Sequence, residues 1–303
     1  MRLLIIGGTG LLGQYLVLEA YQRGWEVTAT YHDNDAKIGT RTLVHMDVRN
    51  EGEVSEVLRS VRPEAVILAA GITDLDRCET NPQEAWEVNA EGALNVAAAC
   101  KLNGIKLLYV STDAVFNGQK REPYFEFDTP DPLGIYAQTK LEAERITLDA
   151  DESNIVARVS LLYGWNRLID KENFVTWALS RLREGEMVNL FEDRRTCPTY
   201  APHCAKVLLQ VLDKDGQGIY HVAGADCLDR YEMGLQVAEV FGLPSSLCRR
   251  ASVADSDLVA KRGRYLCLSS QRVEAELDVR MMSFEDGLKS MRSTDPGRVD
   301  IGD

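Results

Sequence analysis

The spacing of apolar positions divides the chain into two parts. Up to about residue 159, short apolar runs alternate with stretches in which apolar residues recur at helical spacing. The runs predict strands at 3–6, 27–31, 42–46, 65–69, 106–110 and 154–159, and the stretches between them predict helices near 11–23, 51–61, 82–103 and 133–149. Such alternation is typical of a parallel sheet with helices on both faces, which places ligands at the carboxyl ends of its strands.

The second part is less regular. It predicts helices at 171–184, 201–213, 230–241 and 253–260 and a short strand at 219–222. We therefore expect an α/β fold, with a Rossmann-type doubly wound parallel sheet over residues 1–159 and a smaller, interleaved C-terminal α/β substrate lobe over 160–292. Residues 293–303 are polar, which predicts a frayed tail.

A glycine turn follows the first predicted strand. Gly7, Gly10 and Gly13 have the spacing G-x-x-G-x-x-G between an apolar run and a helical pattern. Glycines there permit a tight turn and close approach of a pyrophosphate, and the free N–H groups of the helix start face the phosphates. The turn, with Thr9, Leu11 and Leu12, therefore predicts a dinucleotide site, and a glycine-rich turn without a ligand is the alternative.

Composition excludes several classes of function. The chain has 303 residues and a net charge of −13 spread along its length, which argues against nucleic-acid and anionic-membrane partners. Its seven cysteines and four histidines show no ligand spacing, so we expect neither a metal site nor a disulfide framework. The absence of a long apolar stretch or leader pattern predicts a cytoplasmic protein without a membrane partner.

Tyr136 and Lys140 form the most informative pair in the chain. Their i, i+4 spacing places a phenol and an ammonium on one face of a predicted helix. A cation close to the phenol lowers its pKa from about 10 toward the range useful for proton transfer. An exposed helix face with the same spacing is the alternative.

Several segments together carry a family resemblance. They are the glycine turn, Asp47-Val48, Ala69-Ala70-Gly71, Ser111-Thr112-Asp113, Tyr136 with Lys140, and the longer stretches 110–118, 132–144 and 193–199. With them the chain resembles the extended short-chain dehydrogenase/reductase family, and within it the dTDP-4-dehydrorhamnose reductase (RmlD-like) branch, from residue 1 to about 290.

The resemblance implies catalytic roles for three side chains. Tyr136 would give a proton to a carbonyl oxygen as hydride arrives from a nicotinamide, and Lys140 would lower the Tyr136 pKa and hold the nicotinamide ribose. Thr112 would donate a hydrogen bond to the substrate oxygen. Ser111 is the fallback for that role, and a strand-end cap is the alternative for Thr112.

The resemblance also implies cofactor contacts. Asp47 and Val48 would hold the adenine, although Asp47 also suits a helix cap; Ala69, Ala70 and Gly71 would line the dinucleotide path. Asn89 would support the site from behind, with or without an effect on catalysis.

Cofactor choice depends on the end of the second strand. Tyr31 and His32 stand where an acid that binds the ribose 2′-OH would favour NAD. His32, Lys37 and Arg41 are placed to meet a 2′-phosphate, which favours NADP over NAD, while Asp33 and Asp35 leave NAD open.

Substrate-binding residues are expected from several segments. By resemblance they are Thr73, Asp113, Ala114, Leu161, Arg194 and Arg195. Ala114 and Leu161 replace a tyrosine and a tryptophan of the branch, which would enlarge the pocket. The two arginines would clamp a substrate diphosphate, with solvated surface arginines as the alternative.

These expectations describe an NADP- or NAD-dependent reductase of a keto group on a nucleotide-linked sugar. A non-catalytic regulatory subunit, like the methionine adenosyltransferase beta subunit, and a sugar-nucleotide epimerase or dehydratase are the alternatives. For dehydration, Asp113 is a candidate acid, but no glutamate follows it. Dimers are common in this superfamily, so a homodimer is one expected assembly, although no residue pattern marks an interface.

Overall fold

A seven-stranded parallel sheet forms the centre of the molecule. The computed structural model describes residues 1–33, 37–38, 41–255 and 257–296. In chain order the strands are β1 (Arg2–Ile6), β2 (Glu26–Tyr31), β3 (Val44–His45), β4 (Ala65–Leu68), β5 (Lys106–Thr112), β6 (Ile155–Val159) and β7 (Gly218–Val222). Their order across the sheet is β7-β6-β5-β4-β1-β2-β3, and every neighbouring pair is parallel.

Helices cover both faces of this sheet. The α-helices of the described residues are α1 (Leu11–Gln22), α2 (Glu51–Val61), α3 (Leu75–Thr80), α4 (Pro82–Trp86), α5 (Gly92–Asn103), α6 (Ile135–Ala150), α7 (Phe174–Arg183), α8 (Ala201–Asp213), α9 (Arg230–Phe241), α10 (Gln271–Leu277) and α11 (Phe284–Ser293). One apolar core joins α1 and α8 to the sheet, and a second joins α2, α5 and α6 to its other face. Because the sheet is covered twice, Leu3, Leu4, Ile5 and Ile6 are all buried.

A smaller lobe packs around its own core. Four short pairings build it: Leu162–Tyr163 with Thr199–Tyr200, Val188–Phe191 with Cys248–Ala251, and Arg195–Thr196 between Leu228–Asp229 and Tyr265–Leu266. Helices α7, α9 and α11 bury the third apolar core against these strands. Since β7 comes after the first lobe strands yet pairs with β6, the two parts alternate along the chain.

The doubly wound α/β fold is confirmed, whereas the division at residue 159 stays a prediction. The helix expected over 253–260 is wrong: among the described residues of this range, Val253–Asp255 forms a short 3₁₀ turn and 257–260 are not helical. The helix expected over 82–103 contains a π-helical segment, Glu87–Glu91, between α4 and α5. Helices α10 and α11 were not expected, and α11 extends to Ser293, the first residue of the predicted tail. Residues 297–303 of that tail lie outside the described residues.

Cys227 and Cys267 form a disulfide, which the expectation of no disulfide framework did not foresee. They are 40 residues apart and their Cα atoms are 5.6 Å apart. The three-stranded sheet brings them together, because Leu228 and Leu266 flank the same central residue, Thr196. Within the described ranges, no helix combines the length and apolar character that crossing a bilayer requires.

Candidate active site

The glycine turn lies where the strand order reverses. Strand β1 has β2 on one side and β4 on the other, so a crevice opens beyond its carboxyl end. Gly7 has φ +92°, and a side chain there would lie 2.7 Å from the Ala70 nitrogen. A side chain at Gly71 would lie 2.8 Å from the Asn89 Oδ1. The glycine turn and the loop after β4 are therefore packed too closely for side chains at Gly7 and Gly71, and we call this backbone, residues 7–13 and 69–71, the glycine cradle.

Gly13 is expected to tolerate no side chain. An added Cβ would lie 2.1 Å from the Gly7 carbonyl oxygen, a backbone atom that cannot move without opening the turn. We expect Gly13→Ala to lower the free energy of unfolding by about 3 kcal/mol, the upper end for overpacking. Gly52→Ala is the matched control in α2, where the nearest atom is the Asn50 side chain at 3.2 Å. That control should change stability by less than about 1 kcal/mol; equal urea midpoints for the two variants would contradict the account.

Two cavities extend from the glycine turn. The first, about 400 Å³, is lined by Gly7, Thr9, Tyr31, His32, Asp33, Asp47, Val48 and Arg49, among others. The second, about 470 Å³, is lined by Leu11, Leu12, Gly13, Ser111, Thr112, Tyr136, Lys140 and Leu161, among others. Both also include Gly10, Ala69, Ala70, Gly71, Ile72 and Thr73, so they form one continuous cleft along the sheet edge.

At the first cavity, His32 lies between two carboxylates. Its Nδ1 is 2.8 Å from Asp33 Oδ1, and its Nε2 is 3.4 Å from Asp47 Oδ2. The hydrogen-bonded Arg49 guanidinium holds the Asp47 pKa down at about 2. The alternative role of Asp47, as the cap of α2, is wrong, because the Asn50 side chain accepts the N–H groups of Gly52 and Glu53. Asp35 lies outside the described residues, as do the side chains of Lys37 and Arg41.

Thr112, Tyr136 and Lys140 line the second cavity together. Thr112 ends β5, where its hydroxyl donates to Asp113 Oδ1 (3.1 Å) and accepts the Ala114 N–H (3.2 Å). Lys140 Nζ donates to the Val110 carbonyl at 2.6 Å and lies 4.1 Å from the centre of the Tyr109 ring. Helix α6 thus places the Tyr136 phenol and the Lys140 amine beside the end of β5.

The pKa values differ from the expectation. Burial raises the pKa of Tyr136 well above its ordinary value, and the nearby Thr112 side chain only partly offsets this. Burial lowers the pKa of Lys140 to about 7, although the Glu144 charge opposes the change. The expected lowering of the Tyr136 pKa is not seen, because both groups are desolvated and Lys140 is bonded to a carbonyl. Tyr136 is consequently a protonated phenol at neutral pH.

A buried ion pair lies behind these groups. Glu144 accepts bonds from Arg158 at 2.9 and 2.7 Å, and both side chains are almost fully buried. Ser111 donates to Glu144 Oε1 at 2.5 Å. Ser111 and Thr112 both line the second cavity and each hydroxyl is bonded to a carboxylate, so the choice between them stays a prediction.

Asn89 joins two parts of the site. Its Oδ1 accepts the Ile72 N–H at 2.8 Å, and its Nδ2 donates to the Ile72 carbonyl and to Thr139 Oγ1 at 3.1 and 3.2 Å. The side chain lies in the π-helical segment, a feature frequent at functional sites. It links the loop after β4 to helix α6.

Some of the expected substrate residues line a cavity, and the side chains of the others are bonded elsewhere. Thr73 and Leu161 line the second cavity, and a smaller cavity lined by Ala114, Arg194 and Tyr136 adjoins it. Asp113 is buried and accepts the hydroxyls of Ser160 and Thr196 at 2.6 and 2.9 Å. Arg195 turns elsewhere, because it pairs with Glu232 (2.8 Å) and Asp229 (3.4 Å).

Sequence reasoning missed one wall of the second cavity. Asn166, Ile169, Lys171, Glu172, Asn173 and Phe174 form it, from the segment between β6 and α7. Lys171 Nζ is 3.3 Å from Thr73 Oγ1 across the cleft. This segment follows the carboxyl end of β6, and that position is the sequence signal that could have predicted its place at the cleft. Among the described residues, no three His, Cys, Asp or Glu side chains gather in a metal-binding cluster.

A family model agrees with this geometry over almost the whole chain. The model described as "RmlD substrate binding domain" matches residues 1–295. The chain belongs to this family. The predicted RmlD-like branch of the extended short-chain dehydrogenases/reductases is thereby confirmed, as is the prediction of an oxidoreductase of that type.

Three relatives show the range of the RmlD family. A probable low-salt glycan biosynthesis reductase of Haloferax volcanii is 32% identical, with 97% of this chain and 98% of that protein covered. The methionine adenosyltransferase 2 subunit beta of Bos taurus is 29% identical, with 95% and 86% covered. The crystal structure of dTDP-4-dehydrorhamnose reductase from Bacillus anthracis in complex with NADP is similar at a TM-score of 0.88, with 26% identity and 97% and 99% covered.

Proposed function

We propose that this protein reduces a keto group on a nucleotide-linked sugar, with NADPH or NADH as the hydride donor. The observation that carries the proposal is the single cleft in which the glycine cradle continues into a cavity lined by Thr112, Tyr136 and Lys140. The RmlD family includes proteins named as reductases, and a relative of this chain carries NADP in its crystal structure.

The cleft suits a dinucleotide. Gly7, Gly10 and Gly13 would admit the pyrophosphate to the backbone N–H groups at the start of α1, and Ala69, Ala70 and Gly71 would line the path beside it. Tyr31, His32, Asp47 and Val48 would surround the adenosine end. When bound, the cofactor supplies the hydride.

The chain's own residues supply the proton and the orientation. Thr112 would turn its hydroxyl hydrogen from Asp113 Oδ1 to the substrate carbonyl oxygen, and Tyr136 is the general acid that protonates this oxygen. A phenol with a raised pKa holds its proton at neutral pH, which suits a donor. Lys140, with its pKa near 7, is available to return a proton to Tyr136 and to hold the nicotinamide ribose.

NADP is proposed over NAD. His32 lies at the adenosine end of the cleft, and Tyr31 occupies the position where an acid would favour NAD. Calorimetry tests this choice, and we expect NADPH to bind more tightly than NADH. A panel of nucleotide-linked 4-keto sugars is then added to the NADPH complex, and oxidation is followed as loss of NADPH absorbance.

A regulatory subunit is the second candidate, because the beta subunit of methionine adenosyltransferase 2 is a relative matched over 95% of this chain and 86% of its own length. It predicts cofactor binding, no oxidation by any keto sugar, and a stable complex with a second protein. Oxidation of NADPH by one keto sugar supports the reductase; its absence across the panel, with partner capture, supports the regulatory subunit.

A further inference from the structure

One disulfide closes a loop of the smaller lobe. Cys227 and Cys267 are 40 residues apart in the chain. Cys227 directly precedes the strand Leu228–Asp229, and Cys267 directly follows the strand Tyr265–Leu266. Both strands pair with the central strand Arg195–Thr196, and each pairing spans only two residues. The covalent bond therefore adds a constraint that these short pairings do not supply.

Cys227 is the accessible member of this pair. It is half-buried, whereas Cys267 is fully buried. All seven cysteines lie within the described residues, and the other five are free and buried; they are Cys78, Cys100, Cys197, Cys204 and Cys248. Cys227 is consequently the one cysteine residue that a reagent in solution can reach without opening an apolar core.

The loop that the disulfide closes carries one wall of the smaller cavity. Residues 260–263, which we call the strap, line this cavity together with Tyr136, and its volume of about 20 Å³ has room for about one water molecule. Asp76 holds one end of the strap, because its carboxylate accepts the first N–H of the strap at 2.8 Å and pairs with Arg262 at 3.0 Å. The other end continues through a short strand to Cys267. The disulfide thus anchors the strap beside Tyr136.

We propose that the Cys227–Cys267 disulfide is a thiol–disulfide exchange site for a dithiol reductant, and that its reduction loosens the strap beside Tyr136. While the bond is closed, it restricts the conformations of the loop between the two cysteines. With the bond open, the strap keeps its contacts with Asp76 and the bond from Arg194 Nε to its last carbonyl, at 3.2 Å, but loses its covalent anchor. The glycine cradle is unaffected, because it is built from β1, α1 and the loop after β4.

An external thiolate has to open this bond. Cys197 lies in the same apolar core, but burial raises the pKa of its thiol to about 12, so it is a poor nucleophile at neutral pH. One thiolate of the dithiol attacks the Cys227 sulfur, the S–S bond breaks, and Cys267 leaves as a thiolate and takes a proton. The second thiol attacks the mixed disulfide and releases Cys227, which takes another proton. The dithiol gives up two electrons and two protons and becomes a disulfide.

The test compares the oxidised and the dithiothreitol-reduced full-length protein. Differential alkylation with mass spectrometry identifies the free thiols under native conditions, and hydrogen exchange measures the amides of the strap. We expect Cys227 and Cys267 to become free while the protein stays folded, and the strap amides to exchange about 10-fold faster after reduction. The amides of residues 7–13, in the glycine cradle, should exchange at the same rate in both states.

Two variants separate the disulfide from other effects of the reductant. Cys227→Ala should show the fast strap exchange with and without dithiothreitol, and Cys267→Ala replaces it if that variant unfolds. Cys248→Ala removes a free thiol from another apolar core and is the matched control. It should respond to dithiothreitol as wild type does.

Three results would overturn the proposal. The first is free Cys227 and Cys267 thiols in protein purified in air. The second is a disulfide that dithiothreitol reduces only after urea has unfolded the protein, which would make it a structural cross-link. The third is equal strap exchange in the oxidised and reduced states. None of these measurements involves a keto sugar, so they are independent of the proposed reductase activity.

Discussion

Replacement of Tyr136 by phenylalanine is expected to slow carbonyl reduction by about 10²- to 10⁴-fold, the usual contribution of a positioned general acid. The change removes only the hydroxyl, and the ring continues to line the second cavity and the smaller cavity beside it. NADPH affinity should stay within about twofold, because the lost group is the proton donor and not a phosphate or adenine contact. The measurement is single-turnover oxidation of bound NADPH by a keto sugar, with calorimetry for the cofactor.

Tyr109→Phe is the matched control for this result. The Tyr109 hydroxyl is buried and, among the described residues, has no hydrogen-bond partner, while its ring contacts Lys140. A phenylalanine keeps the ring beneath the amine, so reduction should proceed at nearly the wild-type rate. Retained turnover in Tyr136→Phe, or equal losses in both variants, would contradict the assignment of the proton donor.

Replacement of Glu144 by alanine is expected to cost about 3–5 kcal/mol of unfolding free energy, the typical effect of breaking a buried ion pair by removing one partner. The Arg158 guanidinium would remain in the core beside the Phe116 ring without a carboxylate, and Ser111 would lose its acceptor. Urea unfolding at neutral pH measures the change. Reduction should also slow in any folded fraction, because Ser111 precedes Thr112 on β5.

Glu142→Ala is the control on the same helix. Glu142 and Arg145 form an exposed pair at 3.4 Å, and the loss of such a pair changes stability by less than about 1 kcal/mol. A similarly small effect for Glu144→Ala would show that Arg158 finds another partner. His221 is the nearest group, with its Nε2 3.4 Å from the Arg158 Nη1.

Elements with strong local periodicity were predictable. Strand β4 is apolar along its whole length, and β1 and β6 are apolar apart from Arg2 and Arg158, because both faces of the sheet are covered; α1 and α8 show helical spacing. The wrong helix at 253–260 and the unpredicted α10 have the opposite cause, which is weak local periodicity. Helix α10 is only seven residues long and buries a single side chain, Val273, so periodicity says little about it.

Part of the cleft could also be predicted. Gly7, Gly10 and Gly13 lie within one turn and its helix, and Tyr136 and Lys140 lie one helical turn apart, so local geometry alone brings each set together. Asp47 shows the limit of this reasoning. Its spacing suited a helix cap, but Asn50 fills that position and the carboxylate bonds Arg49.

The sequence by itself determined the parallel sheet, the glycine cradle and the helix face that carries Tyr136 and Lys140, because these depend on residues a few positions apart. Only the tertiary structure decided which distant groups meet: Ser111 with Glu144 and Arg158, Cys227 with Cys267, and Arg195 with Glu232. It also decided the protonation of Tyr136 and Lys140, since burial and not spacing sets the solvation of their charges.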